Sequence, residues 1–379
     1  MIEDRGARVL VVDDDPGMRR AMERILSPLY EVSSADGVGQ ALARLAHDGR
    51  IHVALVDIRL GDGDGYSLCE EIRRRSPATD VILITGSTTQ PDEKLYRSLE
   101  GDAFYFLFKP FERRVLRALV ERCLRLQRER HAKEEYADTL ARDLERARRF
   151  QHSLQPTGRL EAAGFRAMGR FEPCDAVGGD FWLGLVERDG SLVIAVADVV
   201  GHGVSAAMYA GMLRSTLEAA RRSDPDPASV QEALVTGTEF FEASRYATLF
   251  YGQLLASGRL RYWNAGHPPA LVRRAAGGSL RLEATGTPLS LAFRKLPRRV
   301  EEVAIEPGDR ILVFSDGASE ARDPAENELG VEGLERALDA ARGADVAGAL
   351  EQLRRLVFDH VAGRPLEDDV TMVLVERVK

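Results

Sequence analysis

The sequence predicts two unlike units joined by one long helix. The expected order is an α/β doubly wound parallel sheet, a long helical coiled-coil linker, then an α+β sandwich of two packed sheets flanked by helices. Three observations carry this expectation. Within the first 112 residues, four short apolar runs end in polar residues and alternate with helix-sized segments. From Phe111 to Gln155 there is neither glycine nor proline, and apolar residues recur at intervals of three and four. Beyond residue 158, strand signals gather around two sets of helical stretches. The boundaries that follow are 1–112, 113–157 and 158–379.

A chain of 379 residues exceeds what a single core organises, so more than one domain is expected. The net charge of −8 argues against general nucleic-acid binding. No apolar run approaches the ~20 residues needed to cross a bilayer, and the N-terminus lacks a secretory pattern. Cys69, Cys123 and Cys174 are widely spaced, which indicates neither a disulfide framework nor a zinc site. A reducing cytoplasm is the expected compartment.

In the first unit the runs are 8–12, 53–56, 81–84 and 103–108, with helices expected at 17–26, 67–75 and 92–100. The runs lead into Asp13-Asp14-Asp15, Asp57, Thr85 and Lys109 respectively. Ligands of such sheets bind beyond the carboxyl ends of the strands, so these residues should form one site. Asp13 and Asp14 can hold Mg²⁺ beside Asp57, which is then a nucleophile able to form an acyl phosphate. Lys109 can pair with phosphoryl oxygens and the Thr85 hydroxyl can bond them. Asp15, ahead of Pro16, reads as a helix cap. These residues resemble the receiver domain of two-component response regulators over about the first 120 positions. The resemblance implies Asp57 as phosphoacceptor, one Mg²⁺ held by Asp13, Asp14, Asp57 and Arg59, and a switch made of Thr85, Phe106 and Lys109. It also implies a cognate sensor histidine kinase. Gly61 and Phe106 stand where Pro and Tyr are more common.

In the connector, positions 116, 119, 123, 126, 130, 133, 137, 140, 144, 147, 151 and 154 form a heptad seam, apolar except at Arg130, Lys133 and Gln151. A dimeric coiled coil is expected, with a joint at the two basic residues. A single helix with a solvated face is the alternative.

The last unit is organised around Gly178-Gly-Asp180 and Asp198-Val-Val-Gly-His-Gly203, with Ser315-Asp-Gly317 and Asp368-Asp-Val-Thr371 far downstream. Strands are expected at 165–171, 181–186, 191–199, 246–255, 259–263, 270–274, 300–305, 310–314 and 370–376. Helices are expected at 204–221, 228–243, 331–342 and 346–361. Four strand-end carboxylates without a cysteine partner suit hard, oxygen-ligated Mg²⁺ or Mn²⁺ rather than zinc. His202 and His267 read as loop-packing residues. The motif order resembles the metal-dependent protein phosphatases (the PPM family) in the stage II sporulation E and RsbU branch. Tyr262-Trp-Asn-Ala-Gly-His-Pro-Pro269 and Thr287-Pro-Leu-Ser290 fit that branch too.

That resemblance implies hydrolysis of phosphoserine or phosphothreonine by water activated between two Mn²⁺ or Mg²⁺ ions about 3.5–4 Å apart. It implies Asp198 as the bridging ligand, assisted by the Val199 carbonyl, with Asp316 and Asp368 on the second ion. Asp180 would orient water around the first ion or bind it. Asp369 is an alternative to Asp368, whose position matches the family motif. The implied substrate is a phosphorylated anti-sigma-factor antagonist of the STAS type, with control by Asp57 phosphorylation and a homodimer formed through the linker. The competing expectation is a non-catalytic adaptor that uses the same fold for binding.

Overall fold

The computed structural model describes residues 6–86, 104–156, 158–238 and 245–378. The chain divides into two compact units, Met1–Leu140 and Ala141–Lys379. The division falls inside one continuous helix, Arg113–Leu154.

The first unit is a five-stranded parallel sheet in the order Glu31–Ala35, Arg8–Val12, Val53–Asp57, Asp80–Thr85, Phe104–Phe108. Its central strands are apolar throughout because both faces are covered. Val9, Val11, Val53 and Leu55 face one cluster, whereas Leu10, Val12, Ala54 and Val56 face the other. The strand Glu31–Ala35 and the helix Val38–His47 were not expected. The strand is short, polar and partly exposed, so it carries no apolar run. The helix expected at 92–100 lies outside the described residues.

The connector is helical as expected, but its stripe serves two environments. Leu116, Val120, Cys123 and Leu124 are buried in the first unit's core. Arg130, read as a break in the seam, donates through Nη2 to both carboxylate oxygens of Asp80, at 2.9 and 3.0 Å. Gln127 caps the carbonyls of His52 and Ala78. The stripe's first part is therefore consumed by the chain's own sheet, while residues 131–143 are exposed. Amphipathic spacing specifies that a face will be covered and leaves the covering surface open.

The second unit stacks two antiparallel sheets between two layers of helix. One sheet runs Phe181–Val186, Leu192–Val199, Ala247–Leu254, Arg259–Ala265, Glu301–Ala304. The other runs Ser279–Leu282, Ala270–Arg273, Arg310–Phe314, Val370–Arg377, Phe165–Glu172, Leu160–Ala162. Strand alternation sorts the core into layers. Leu192, Ile194 and Val196 pack between the sheets with Ile311, Val313, Val373 and Val375. Val193, Ala195, Ala197 and Val199 pack outward beneath the helices Gly203–Ser223 and Pro227–Gly237. Leu312, Phe314, Met372 and Leu374 pack under Gly330–Ala340 and Val346–Val361. The helix expected to reach residue 243 ends at Gly237, and 239–244 lie outside the described residues. Among the described residues no helix is long and apolar enough to cross a membrane.

Candidate functional site

The parallel sheet delivers its polar residues to one end. Asp13 follows its strand, Asp57 and Thr85 close theirs, and Lys109 follows Phe108. One carboxylate oxygen each from Asp13, Asp14 and Asp57 fall within 4.8 Å of one another, as a single hard cation requires. Asp13 and Asp57 are buried and Asp14 is exposed. The Lys109 ammonium bridges the two buried acids, at 2.9 Å from Asp13 and in closer contact with Asp57. Burial raises the Asp13 pKa, and the bonds to Lys109 oppose that rise. Burial also works against the Lys109 charge, yet its bonds to Asp57 and Asp13 leave its pKa above the ordinary value. The Arg59 amide donates to Asp57 Oδ1 at 3.1 Å while its side chain is exposed. Thr85 is buried and Phe106 half-buried. Asp15 caps the helix Pro16–Leu26 by accepting from the Gly17 amide at 2.7 Å, as its place before Pro16 suggests.

In the second unit Asp198 shares the inter-sheet parity of Ile194 and Val196, which aims it into the end of the sandwich. Asp180 precedes the neighbouring strand and is almost fully buried. Its Oδ2 accepts from the Thr371 hydroxyl at 2.6 Å, and its carboxyl group meets that of Asp198. Asp316 opens a four-residue helix after Phe314, and Asp368 lies exposed ahead of Val370. The Asp198 pKa is pushed up to about 7, first by burial and then by Asp316, Asp368 and Asp369. Asp180 is driven well above the carboxylate range by burial and Asp198. Burial raises Asp316 and Asp368 as well, with Glu320 adding most to the first and Asp316 to the second among charged neighbours. These four do not bring three ligand atoms within 4.8 Å, whereas the Asp13 group does.

The adjacent acids Asp368 and Asp369 are separated by burial. Asp369 Oδ1 accepts from the Cys174 amide at 2.9 Å, and Oδ2 accepts from Gly179 at 2.6 Å and Asp180 at 3.3 Å. It ties the Asp180 loop down from within. Gly178 is required there because a Cβ would overlap the Asp369 carboxylate. Ser315 links the same region, accepting from the Thr371 amide at 2.9 Å and donating to the Asp369 carbonyl at 3.2 Å. Thr371 and Ser315 sit within quoted motifs, but only the packing reveals their work. His202 is exposed, 3.9 Å from Asp175. His267 is buried, its Nδ1 2.7 Å from Thr248 Oγ1 and its amide donating to Asn264 Oδ1 at 2.8 Å.

Two family models match. Residues 9–121 match the response regulator receiver domain and residues 188–378 match stage II sporulation protein E (SpoIIE). Protein IcfG of Synechocystis is 27% identical over 264 residues, covering 62% of this chain and 41% of its own length. Phosphoserine phosphatase RsbU of Bacillus subtilis is 26% identical over 212 residues, covering 54% of this chain and 61% of its own. The chain thus spans less than two thirds of either relative. The SiaA-PP2C domain of Pseudomonas aeruginosa superposes with a TM-score of 0.57 at 18% identity, over 64% of this chain and 99% of that one, a likeness of fold. With a parallel-sheet receiver ahead of a sandwich of the metal-dependent phosphatase type, the chain belongs to the SpoIIE family.

Proposed function

We propose that this chain is a response regulator whose output is metal-dependent hydrolysis of phosphoserine or phosphothreonine on a protein. The observation that carries the reading is the convergence of Asp180, Asp198, Asp316 and Asp368 at one end of the sandwich. The donor set fits hard divalent ions, because its side-chain donors are all carboxylates and the main charged neighbours of Asp198 are other carboxylates. Asp198 would bridge two ions with the Val199 carbonyl beside one, Asp180 would serve the first, and Asp316 with Asp368 the second. Bound Mn²⁺ or Mg²⁺ supplies an activated water and neutralises phosphoryl charge. Asp369 is assigned to the scaffold, since its oxygens already accept from three amides.

In the receiver, Asp57 would accept the phosphoryl group from a sensor histidine kinase, with Mg²⁺ held by Asp13, Asp14 and Asp57 and with Lys109 and Thr85 reading the new oxygens. Phe106 would respond to Thr85, and Arg59 would contribute to the Mg²⁺ site from the following loop. The name of RsbU supports a phosphoserine substrate, for which a STAS-type anti-sigma-factor antagonist is the candidate. The functional division is 1–112, 113–157 and 158–379, with the exposed half of the connector pairing in a homodimer.

The test measures Mn²⁺-dependent phosphate release by the full chain from a phosphoserine STAS protein and from unrelated phosphoproteins. Faster release from the STAS protein is expected. Equal rates would remove the substrate assignment and keep the enzyme. Substrate binding without turnover would instead favour an adaptor.

A further inference from the structure

The last turns of the connector helix touch the Asp180 loop directly. The Gln151 Nε2 donates to the Gly178 carbonyl at 2.7 Å, and its Oε1 accepts from the Gly178 amide at 3.1 Å. One side-chain amide thereby satisfies both backbone groups of one buried residue. Gln155 adds a single bond further on, its Oε1 accepting from the Trp182 amide at 3.3 Å. Between them His152 tilts against Phe171, ring centroids 5.9 Å apart. The grip brackets Asp180 in sequence, at Gly178 before it and Trp182 after it.

The next two amides of the loop, of Gly179 and Asp180, are held by Asp369. Residues 178–180 are thus clamped between a helix side chain and a buried carboxylate. A clamp of this kind needs a donor and an acceptor on one planar group, which among side chains of this length only glutamine offers. Gly178 lies two residues before Asp180, so a lost bond there frees the turn that sets the direction of its carboxylate.

We propose that Gln151 is a positioning residue for Asp180, which makes the end of the connector helix a working part of the metal-binding loop. The inference rests on the phosphatase reading for its catalytic consequence and on the hydrogen bonds alone for its structural one. Gln151 reaches no reacting group. It acts through the backbone of Gly178, and a displacement of this end of the helix would be felt at Asp180.

The experiment compares full-length wild type with Gln151→Met, which has the size and no hydrogen bonds, and Gln151→Glu, which keeps the acceptor and loses the donor. Phe150→Ala, at an exposed neighbouring position, is the control. Amide exchange of the peptide spanning 174–183 is measured in metal-free protein, Mn²⁺ affinity by calorimetry, and kcat and KM on a phosphoserine peptide at saturating Mn²⁺. For Gln151→Met, exchange of this peptide should accelerate at least tenfold, Mn²⁺ affinity should weaken five- to tenfold, and kcat should fall about tenfold with KM within twofold. Gln151→Glu should fall between Met and wild type, and Phe150→Ala should match wild type. Unchanged exchange and Mn²⁺ affinity in Gln151→Met would overturn the proposal. So would accelerated exchange throughout the second unit in both variants, which would make Gln151 a general support. An inactive wild type would count against the phosphatase reading alone, because amide exchange reads the loop without turnover.

Discussion

His267 offers a quantitative test of how the end of the sandwich is built. Its ring is buried with Nδ1 against the Thr248 hydroxyl, and burial lowers its pKa from 6.5 to about 3. The folded protein therefore holds this imidazole neutral, while the unfolded chain protonates it near 6.5. Stability from this group is complete above pH 6.5 and is lost as pH falls towards 3, because the unfolded state binds the proton first. At about 1.4 kcal/mol per pH unit, moving from pH 7 to pH 4.5 should cost about 3 kcal/mol through this residue. The perturbation is His267→Asn, which places an amide near the Thr248 hydroxyl and cannot titrate. Urea unfolding is followed by tryptophan fluorescence, since both tryptophans, Trp182 and Trp263, lie in the second unit. With a urea slope of about 2–3 kcal/mol/M, the wild-type midpoint should drop by about 1 M more than the variant's between the two pH values. The raised carboxylates act in the opposite sense in both proteins and cancel in the difference. Midpoints that fall in parallel would show that the folded state accommodates a charged His267, and the argument from burial would fail.

Three further outcomes are expected. Asp198→Asn should abolish Mn²⁺-dependent turnover and raise the melting temperature of the metal-free protein by relieving carboxylate repulsion; near-wild-type activity would remove Asp198 from the centre. Lys109→Met leaves the buried Asp13 and Asp57 without their cation, so the receiver should lose about 3 kcal/mol by hydrogen exchange while its Mg²⁺ affinity tightens; weaker Mg²⁺ binding would show that the ammonium does not compete with the ion. Beryllofluoride with Mg²⁺ should change the sedimentation or turnover of wild type and leave Asp57→Ala unaffected; identical behaviour would make the connector a passive tether.

Strands with two covered faces were legible because burial demands an unbroken apolar run, as in Leu192–Val199 and Val370–Arg377. Glu31–Ala35 was not, because an edge strand with partly exposed Ser33 and Ser34 carries no such run. The carboxylates could be read because each borders an apolar strand. Their supports could not. Thr371 sits within a strand, and Gln151 looks like one polar residue in a helical stripe that also has to cover the receiver sheet. Asp368 and Asp369 are told apart in the sequence by motif position alone, and burial adds the physical difference between an exposed acid and one bonded to three amides.

On the reading of these acids as a metal centre, the Asp369 anchor has a consequence for how ions would come and go. A loop fastened by an internal carboxylate to its own amides is already shaped before any ion arrives, so binding orders little chain and forfeits little entropy. Affinity then reflects electrostatic relief among the acids, and the pace of loading reflects how fast an ion sheds water. Mg²⁺, which dehydrates reluctantly, should load such a rigid cradle more slowly than Mn²⁺, with no refolding step in either case.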